Sequence, residues 1–255
     1  MMDAEPRFRV KLAETQAELR AAQALRYRVF VQELGGDGPL VDHESGLERD
    51  RFDPFFDHLL LLDDAKNGSV VGVYRVLRDD QAARAGQFYS EDEYDLRVLK
   101  SSGRRLLELG RSCLEAEYRG GAAMFHLWQG LARYVTDHDI DILFGVASFH
   151  GTDASHLAQP LSMLYHNHLA PEALRVRAHE AAFQDMNLIP KEKLNRVSAM
   201  KQVPALIKAY LRLGGYVGEG AFVDRAFNTT DVCLVMDAAT MSEKQKSIYT
   251  RGVRK

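Results

Sequence analysis

The first regular element that the apolar spacing indicates is a helix near the N-terminus. Apolar residues recur at helical spacing from Leu19 to Phe30. Thr15 and Glu18 precede them in the pattern of a capping box, in which each residue satisfies a free backbone N–H of the other. A Gly-Gly pair follows Leu34 and predicts that the helix ends there.

Four shorter apolar runs predict strands, and one amphipathic stretch between them predicts a helix. The runs at 58–62 and 70–77 are separated by a polar turn, which is typical of a β-hairpin. The runs at 104–112 and 141–149 predict two more strands, and the second is apolar enough to be central in a sheet. Residues 122–138 have apolar positions on one side of a helix.

The second half of the chain continues the alternation. The pattern predicts a helix at 154–170 and another from 203 that ends before Gly214, a short strand at 173–178 and a last strand at 229–237. Alternating helices and strands indicate an α/β fold with helices on both faces of a sheet.

Composition places the chain among ordinary globular proteins. It has 255 residues, 46% of them apolar and 27% charged, with a net charge of -3. We expect a single domain over 1–255, with residues from about 150 to 255 extending the core.

The negative net charge argues against nucleic-acid binding. The two cysteines lack metal-type spacing, so we expect buried thiols and no metal. No targeting segment or apolar run of about 20 residues is present, so we expect a cytoplasmic protein.

Two stretches stand out as candidates for chemistry. Residues 34–54 show no periodicity, and long ordered loops of this kind are often functional. The strand at 104–112 carries Glu108 and Arg111, which point to opposite faces unless a bulge re-aims one of them. Buried charges need partners, so this pair indicates either a structural ion-pair network or a reactive cleft.

A glycine turn follows that strand. Arg119, Gly120 and Gly121 lie just before the helix at 122–138. Glycines let a backbone approach a phosphate closely, and a helix N-terminus offers free N–H groups to it. The alternative is an ordinary turn with no ligand.

The strand, turn and helix together resemble motif A of the GNAT superfamily of N-acyltransferases. The resemblance implies a mixed central sheet with a splayed strand pair and helices on both faces. It implies that an acyl thioester lies in the splay and that its phosphate lies on the turn. The glycine pattern is shortened, with Ala122 and Ala123 in place of further glycines. That departure favours the phosphopantetheine of a carrier protein over coenzyme A.

A second resemblance is to acyl-homoserine-lactone synthases, through LRYRVFVQELG, DRFD, VGVYRVL and ELGR in the same order. That family implies functional roles for Arg26, Phe30, Asp50, Asp53, Arg75, Glu108 and Arg111. The family's loop tryptophan falls on Gly36, which argues against the same amine substrate.

Most of the chain resembles the bacterial amino-acid N-acyltransferases of aminolipid synthesis, through ELGRSC, LFGVASFHGTD and PALIKAYLRLGGYVGEGAFVDRAFNTTDVCLVMD among others. This resemblance implies transfer of a 3-hydroxyacyl group from acyl carrier protein to the α-amino group of ornithine, giving lyso-ornithine lipid. Two other enzymes are alternatives: one that carries out the same reaction on glutamine, and an acyl-homoserine-lactone synthase. A non-enzymatic, haemolysin-like binding protein is the third reading.

The implied reaction assigns roles to these residues. Its amine must be neutral, so a base is needed, and Glu108 is the first candidate. Asp50 and Asp53 would bind an ammonium group or share the base role. Arg26, Arg75 or Arg111 would pair with the substrate carboxylate. No permanently bound cofactor is implied, because the acyl-phosphopantetheine thioester is a co-substrate.

A basic set in the C-terminal half suggests a partner. Its members are Lys191, Lys193, Arg196, Lys201, Lys208 and Arg212. Such a run is most often a solvated helix face. The functional alternatives are docking of an acidic acyl carrier protein and peripheral contact with the inner face of the cell membrane.

Overall fold

The computed structural model describes residues 5–241, which form two compact units. Within the described residues, the first unit contains 5–85 and 109–139, and the second contains 86–108 and 140–241. The prediction of one domain over 1–255 also covers residues outside the described range, and it stays a prediction.

The described strands are, in chain order, β1 (Phe8–Leu12), β2 (Asp57–Asp63), β3 (Ser69–Arg78), β4 (Tyr94–Asp95), β5 (Leu106–Leu114), β6 (Ile142–His150), β7 (Arg177–Ala178), β8 (Phe183–Gln184), β9 (Tyr216–Val217), β10 (Ala221–Asp224) and β11 (Thr229–Asp237). The predicted hairpin and the predicted strands at 104–112, 141–149 and 229–237 are confirmed to within two residues.

The described α-helices are α1 (Gln16–Arg26), α2 (Asp79–Ala85), α3 (Arg97–Lys100), α4 (Ala123–Asp137), α5 (Ala158–His168), α6 (Arg196–Gln202) and α7 (Ala205–Arg212). A π-helix over Tyr27–Glu33 continues α1. Single turns of 3-10 helix lie at Asp64–Lys66, Tyr89–Asp92, Ala116–Tyr118, Glu172–Leu174, Glu180–Ala182, Lys191–Lys193 and Ala238–Thr240. Across residues 5–241, no helix combines the length and apolar character needed to cross a bilayer.

The first helix begins as predicted. The Thr15 hydroxyl accepts a hydrogen bond from the Glu18 N–H, and the Glu18 carboxylate accepts one from the Thr15 N–H. The final part of the predicted helix is the π-helix rather than α-helix, and Gly35 then takes a φ of +72°. A wider helix turn at this point is a feature often found next to functional sites.

In the first unit the strand order is β1-β2-β3-β5, with β1 antiparallel to β2 and β2 antiparallel to β3. Alternate side chains of β2 face opposite sides. Leu60 and Leu62 belong to a core cluster with Ala22 and Leu25 of α1. On the other side, Leu59 lies beside Gly130 of α4. The expectation of helices on both faces is therefore confirmed in this unit.

The second unit contains the parallel part of the sheet. Residues Leu106–Glu108 of β5 pair in parallel with Ile142–Phe144 of β6. β11 pairs antiparallel with β6, and β10 and β8 follow it outward. A separate two-stranded sheet joins β4 and β7. The sheet is mixed, as the sequence predicts, because parallel and antiparallel pairs meet at β6.

The apolar pattern did not predict β1. Phe8, Val10 and Leu12 alternate with Arg9 and Lys11, which is the period of a strand with one covered face. The signal is only five residues long and rich in charge. What fixes the strand is its pairing with β2, from Phe8 opposite Asp63 to Leu12 opposite Leu59.

We expect Gly130→Ala to destabilise the protein by about 1–2 kcal/mol, because the new methyl group overpacks the contact of α4 with β1. Its Cβ would lie 2.4 Å from Val10 Cγ1 and 3.3 Å from Leu59 Cδ2. The overpacking outweighs a gain of about 1 kcal/mol in helix propensity. Urea unfolding measures the change. Gly121→Ala is the control, since a Cβ there meets nothing within 4 Å. A Gly130→Ala protein as stable as the wild type would contradict this packing.

A ring of alternating charges as the candidate active site

Six charged side chains of the first unit form a closed ring in which each guanidinium group lies between two carboxylates. The members, in order around this charge ring, are Arg111, Glu48, Arg26, Asp53, Arg75 and Asp50. Three formal positive charges balance three negative charges. A buried charge is tolerated only with partners, and here every member has two of them.

The deep side of the ring is almost free of solvent. The Arg26 and Arg75 side chains are 0% and 1% exposed, and those of Glu48 and Asp53 are 1% and 5% exposed. Asp53 Oδ1 accepts hydrogen bonds from Arg26 Nη1 at 2.7 Å and Arg75 Nη1 at 2.8 Å. Arg26 also binds Glu48. Gln23 Nε2 donates to the other Asp53 oxygen at 3.0 Å. These contacts fix the geometry of the deep side.

The other side of the ring is closer to solvent. The Asp50 and Arg111 side chains are 18% and 14% exposed. Arg75 Nη1 lies 2.7 Å from Asp50 Oδ2, and Arg111 Nε donates to Glu48 Oε1 at 3.1 Å. The link between Arg111 Nη2 and Asp50 Oδ2 is the longest in the ring, at 3.5 Å. A ligand would meet this link first.

Different elements of the fold supply the ring. Arg26 ends α1, Arg75 lies in β3 and Arg111 lies in β5, whereas the loop before β2 supplies the three carboxylates. Arg111 has a φ of +50°, which is unusual for a residue other than glycine. Regular strand alternation would place the side chains of Glu108 and Arg111 on opposite faces of the strand. The left-handed conformation of Arg111 breaks that alternation and changes the direction of its side chain.

The ring stabilises the ionised forms of Glu48 and Asp53. Burial alone raises the pKa of Glu48, but the guanidinium groups of Arg111, Arg26 and Arg75 outweigh it and lower the pKa to about 2. Burial also raises the pKa of Asp53, but the guanidinium groups of Arg26 and Arg75 outweigh it, so the pKa of Asp53 is lowered as well. Both groups are therefore carboxylates at neutral pH, and a carboxylate with such a low pKa is a weak base.

His58 supports the loop from β2. Its Nε2 lies 3.2 Å from the backbone oxygen of Asp53. Burial lowers the pKa of His58 to about 4, helped by Arg26 and Arg75 and opposed by Asp53. The imidazole is thus neutral at pH 7 and adds no charge to the balanced ring.

Glu108 lies in the second unit, where it caps the start of a 3-10 turn. Its carboxylate is 1% exposed. Oε2 accepts a hydrogen bond from the Tyr89 N–H at 2.7 Å, and Oε1 accepts one from the Ser90 N–H at 2.6 Å. The Ser90 hydroxyl also donates to Oε1. Such donors stabilise the charged form of a carboxylate. The role of Glu108 as general base stays a prediction.

The glycine turn has an open surface. Gly120 has a φ of +76°, and a Cβ at Gly120 or Gly121 would meet nothing within 4 Å. The N-cap of α4, Ala122, makes no side-chain capping bond. Arg119 is less free than expected, because its Nε donates to the Leu114 oxygen at 3.1 Å and its Nη2 lies 2.8 Å from Glu33.

Cys113 is a buried thiol, as predicted. It packs against α1 in the core cluster, and burial raises its pKa to about 12.

In the second unit, carboxylate oxygens of Glu93, Asp224 and Asp231 lie within 4.8 Å of one another. The sequence analysis did not find this cluster, and the absence of a metal requirement stays a prediction.

The structure brings together five of the residues that the sequence singled out, namely Arg26, Asp50, Asp53, Arg75 and Arg111, and places Phe30 beside the ring, 5.9 Å from the Arg111 guanidinium group. Sequence reasoning missed Glu48. Its signal was a carboxylate directly after the apolar Leu47, in the loop that also carries Asp50 and Asp53.

We expect Glu48→Gln to cost about 3 kcal/mol of folding free energy, because it leaves Arg26 and Arg111 with one carboxylate fewer in a buried ring. Chemical denaturation measures this loss. Glu33→Gln is the matched control, since it removes the exposed partner of Arg119, and its cost should stay below about 1 kcal/mol. Equal, small losses for both variants would show that the ring does not hold the loop.

Comparison with known proteins agrees with this architecture. Residues 25–129 match the family model of the acetyltransferase (GNAT) domain. The solved structure of the AHL synthase LasI covers 98% of both chains with a TM-score of 0.53 and 17% identity, which shows a shared fold.

Curated relatives are far more similar. An L-ornithine N(alpha)-acyltransferase of Rhodobacter capsulatus is 60% identical over 96% of each chain. A protein of the same name from Brucella abortus is 44% identical over 94% of this chain and 88% of its own. The chain belongs to the family of L-ornithine N(alpha)-acyltransferases.

Proposed function

We propose that this protein transfers a 3-hydroxyacyl group from acyl carrier protein to the α-amino group of ornithine and so forms lyso-ornithine lipid. The observation that carries the proposal is the 60% identity, over 96% of both chains, to a relative named for acylation of the ornithine α-amine. The charge ring supports it independently, because its accessible side presents one carboxylate and one guanidinium group to an amino acid.

The amino acid binds by opening the weakest link of the ring. Its α-carboxylate pairs with Arg111, and an ammonium group pairs with Asp50, so that two ion pairs replace one. Each side chain keeps its other ion pair within the ring, Arg111 with Glu48 and Asp50 with Arg75. This assignment selects Arg111 among the three arginines that the sequence offered for the carboxylate.

The remaining ring members act as positioning residues. Arg26 and Arg75 are buried against carboxylates, and Asp53 is held by both of them and by Gln23. The sequence predicts that Arg26, Asp53 and Arg75 contact the substrate directly. In this proposal they instead hold Asp50 and Arg111 in position. A rearrangement of the buried side would leave a buried charge without a partner. The buried side therefore keeps the open side in place.

The chemistry removes two protons from the amine nitrogen and gives one to the sulfur. A base takes the first proton from the ammonium group, and the free amine attacks the thioester carbonyl carbon. The new C–N bond forms, the C–S bond breaks, the nitrogen loses its second proton as the amide forms, and the released thiolate of phosphopantetheine takes up a proton. Glu108 stays the proposed base, and Asp50 is the second candidate, because it is the most exposed carboxylate of the ring.

The donor is proposed to bind at the glycine turn. Gly120 and Gly121 are exposed, and the uncapped start of α4 offers backbone N–H groups to a single phosphate. Arg119 adds a positive charge there, although it also holds Glu33. We propose acyl carrier protein as the partner, and the cytoplasm as the site of action, with a peripheral contact at the inner face of the membrane.

We expect the purified protein to release free thiol from a 3-hydroxyacyl carrier protein when ornithine is added. Mass spectrometry should find the acyl group on the α-nitrogen. Glutamine and S-adenosylmethionine are parallel acceptors, and acyl coenzyme A is a parallel donor. If none of the amines caused thiol release, the enzyme assignment would be overturned, and faster acylation of glutamine would reassign the acceptor.

We expect Asp50→Asn and Arg111→Gln each to raise the KM for ornithine by about 10- to 100-fold, because each removes one of the two proposed substrate contacts. Steady-state kinetics measures the change. Glu117→Gln is the control, since that carboxylate is exposed and pairs only with Lys66 among the described residues. Unchanged KM in both site variants would contradict substrate entry at this link.

Glu108→Gln separates the base from the binding groups. A base variant should lose roughly 100-fold or more in kcat with little change in KM. If Asp50→Asn shows that pattern and Glu108→Gln does not, Asp50 is the base. The Glu108→Gln protein must first unfold at a urea concentration close to wild type, because the same carboxylate caps the 3-10 turn.

A further inference from the structure

One exposed surface of the second unit combines unpaired cations with exposed apolar side chains. We call it the basic surface, and its members are Leu188, Lys191, Lys193, Arg196, Val197 and Lys201. All six are exposed to solvent. They come from the 3-10 turn Lys191–Lys193, helix α6 and the chain just before them.

The charge of this surface is opposite to that of the whole protein. Residues 188–202 contain four cations and one carboxylate, Glu192, and so carry +3, whereas the chain carries -3. Within residues 5–241, Lys191, Lys193 and Lys201 form no ion pair. Arg196 Nη2 donates a hydrogen bond to the amide oxygen of Asn167 at 3.4 Å. Several other exposed cations differ in this respect, because Lys66, Arg97 and Lys100 each have a carboxylate within 3 Å.

Two apolar side chains project among these cations. Val197 is 69% exposed, the highest value among the large apolar residues of the described chain, and Leu188 is 38% exposed. Val197 follows Arg196 directly and lies one helical turn before Lys201. Apolar side chains exposed among lysines and arginines are one feature of segments that lie in a membrane interface.

The basic surface is held firmly on α5. The Ser162 hydroxyl accepts hydrogen bonds from the Leu188 N–H at 3.0 Å and the Ile189 N–H at 2.9 Å. The Asn195 side chain caps α6 by accepting from the Ser198 N–H at 3.0 Å, and Ala199 is fully buried beneath it. The cations are therefore presented on a fixed backbone, which lowers the entropy lost when they bind.

We propose that the basic surface binds the anionic face of a phospholipid bilayer, with Val197 and Leu188 entering the headgroup region. Three of the four cations are lysines, which act as point charges toward a diffuse anionic surface. The exposed valine favours a bilayer over an acidic protein. The biological reason rests on the proposed function, because a lyso-lipid product is amphipathic and belongs in a membrane.

The test is sedimentation of the purified full chain with vesicles of phosphatidylcholine alone or mixed with phosphatidylglycerol. We expect binding only to the anionic vesicles, and weaker binding as salt is added. The variant Lys191→Gln/Lys193→Gln/Lys201→Gln should lose at least about tenfold in affinity. The control Arg20→Gln/Arg84→Gln/Arg225→Gln removes three exposed cations elsewhere and should stay within about twofold of wild type.

Val197→Ser tests the apolar part with every charge kept, and we expect a loss of about threefold or more in affinity for anionic vesicles. Equal loss in the two triple variants, or binding that ignores phosphatidylglycerol, would overturn the proposal. So would a lysine variant that binds vesicles normally but has a higher KM for acyl carrier protein, since the surface would then dock that protein. Vesicle binding needs no turnover, so its failure is distinguishable from a failure of the proposed reaction.

Discussion

The structure of the first unit depends on the mutual neutralisation of six charges that water cannot reach freely. Removing an ion from water costs several kcal/mol, and a single buried pair rarely recovers that cost. A closed ring gives every member two partners, so no charge is left over. The loop before β2 has little regular structure of its own, and it is held by Glu48, Asp50 and Asp53 binding arginines from α1, β3 and β5.

The two sides of the ring differ in solvent exposure and in the length of their ion pairs. On the deep side the carboxylate pKa values are lowered and the geometry is fixed by charge-assisted hydrogen bonds. On the open side the link between Arg111 and Asp50 is 3.5 Å long, and we propose that it exchanges for contacts with the amino-acid substrate. In that proposal the rigid side positions the side that binds substrate, as is expected of a preorganised site.

β5 carries the conformational cost of this arrangement. Glu108 follows regular strand geometry and is satisfied by backbone donors from residues 89 and 90. Three residues later Arg111 takes a left-handed conformation, which costs free energy for a residue with a side chain. The two ion pairs that Arg111 makes with Glu48 and Asp50 offset that cost.

The sequence by itself determined the main elements and most of the chemistry. Apolar periodicity located α1, α4, β2, β3, β6 and β11, because each buries a face whose spacing is visible in the chain. The resemblance to acyl-homoserine-lactone synthases singled out five of the six ring members, and Arg111 also stood out as a charge inside an apolar strand. Only the tertiary structure decided which charges pair, that Glu48 closes the ring, and that Glu108 caps a distant turn. Those facts depend on contacts between residues far apart in the chain and on the φ of Arg111, and neither leaves a periodic trace in the sequence.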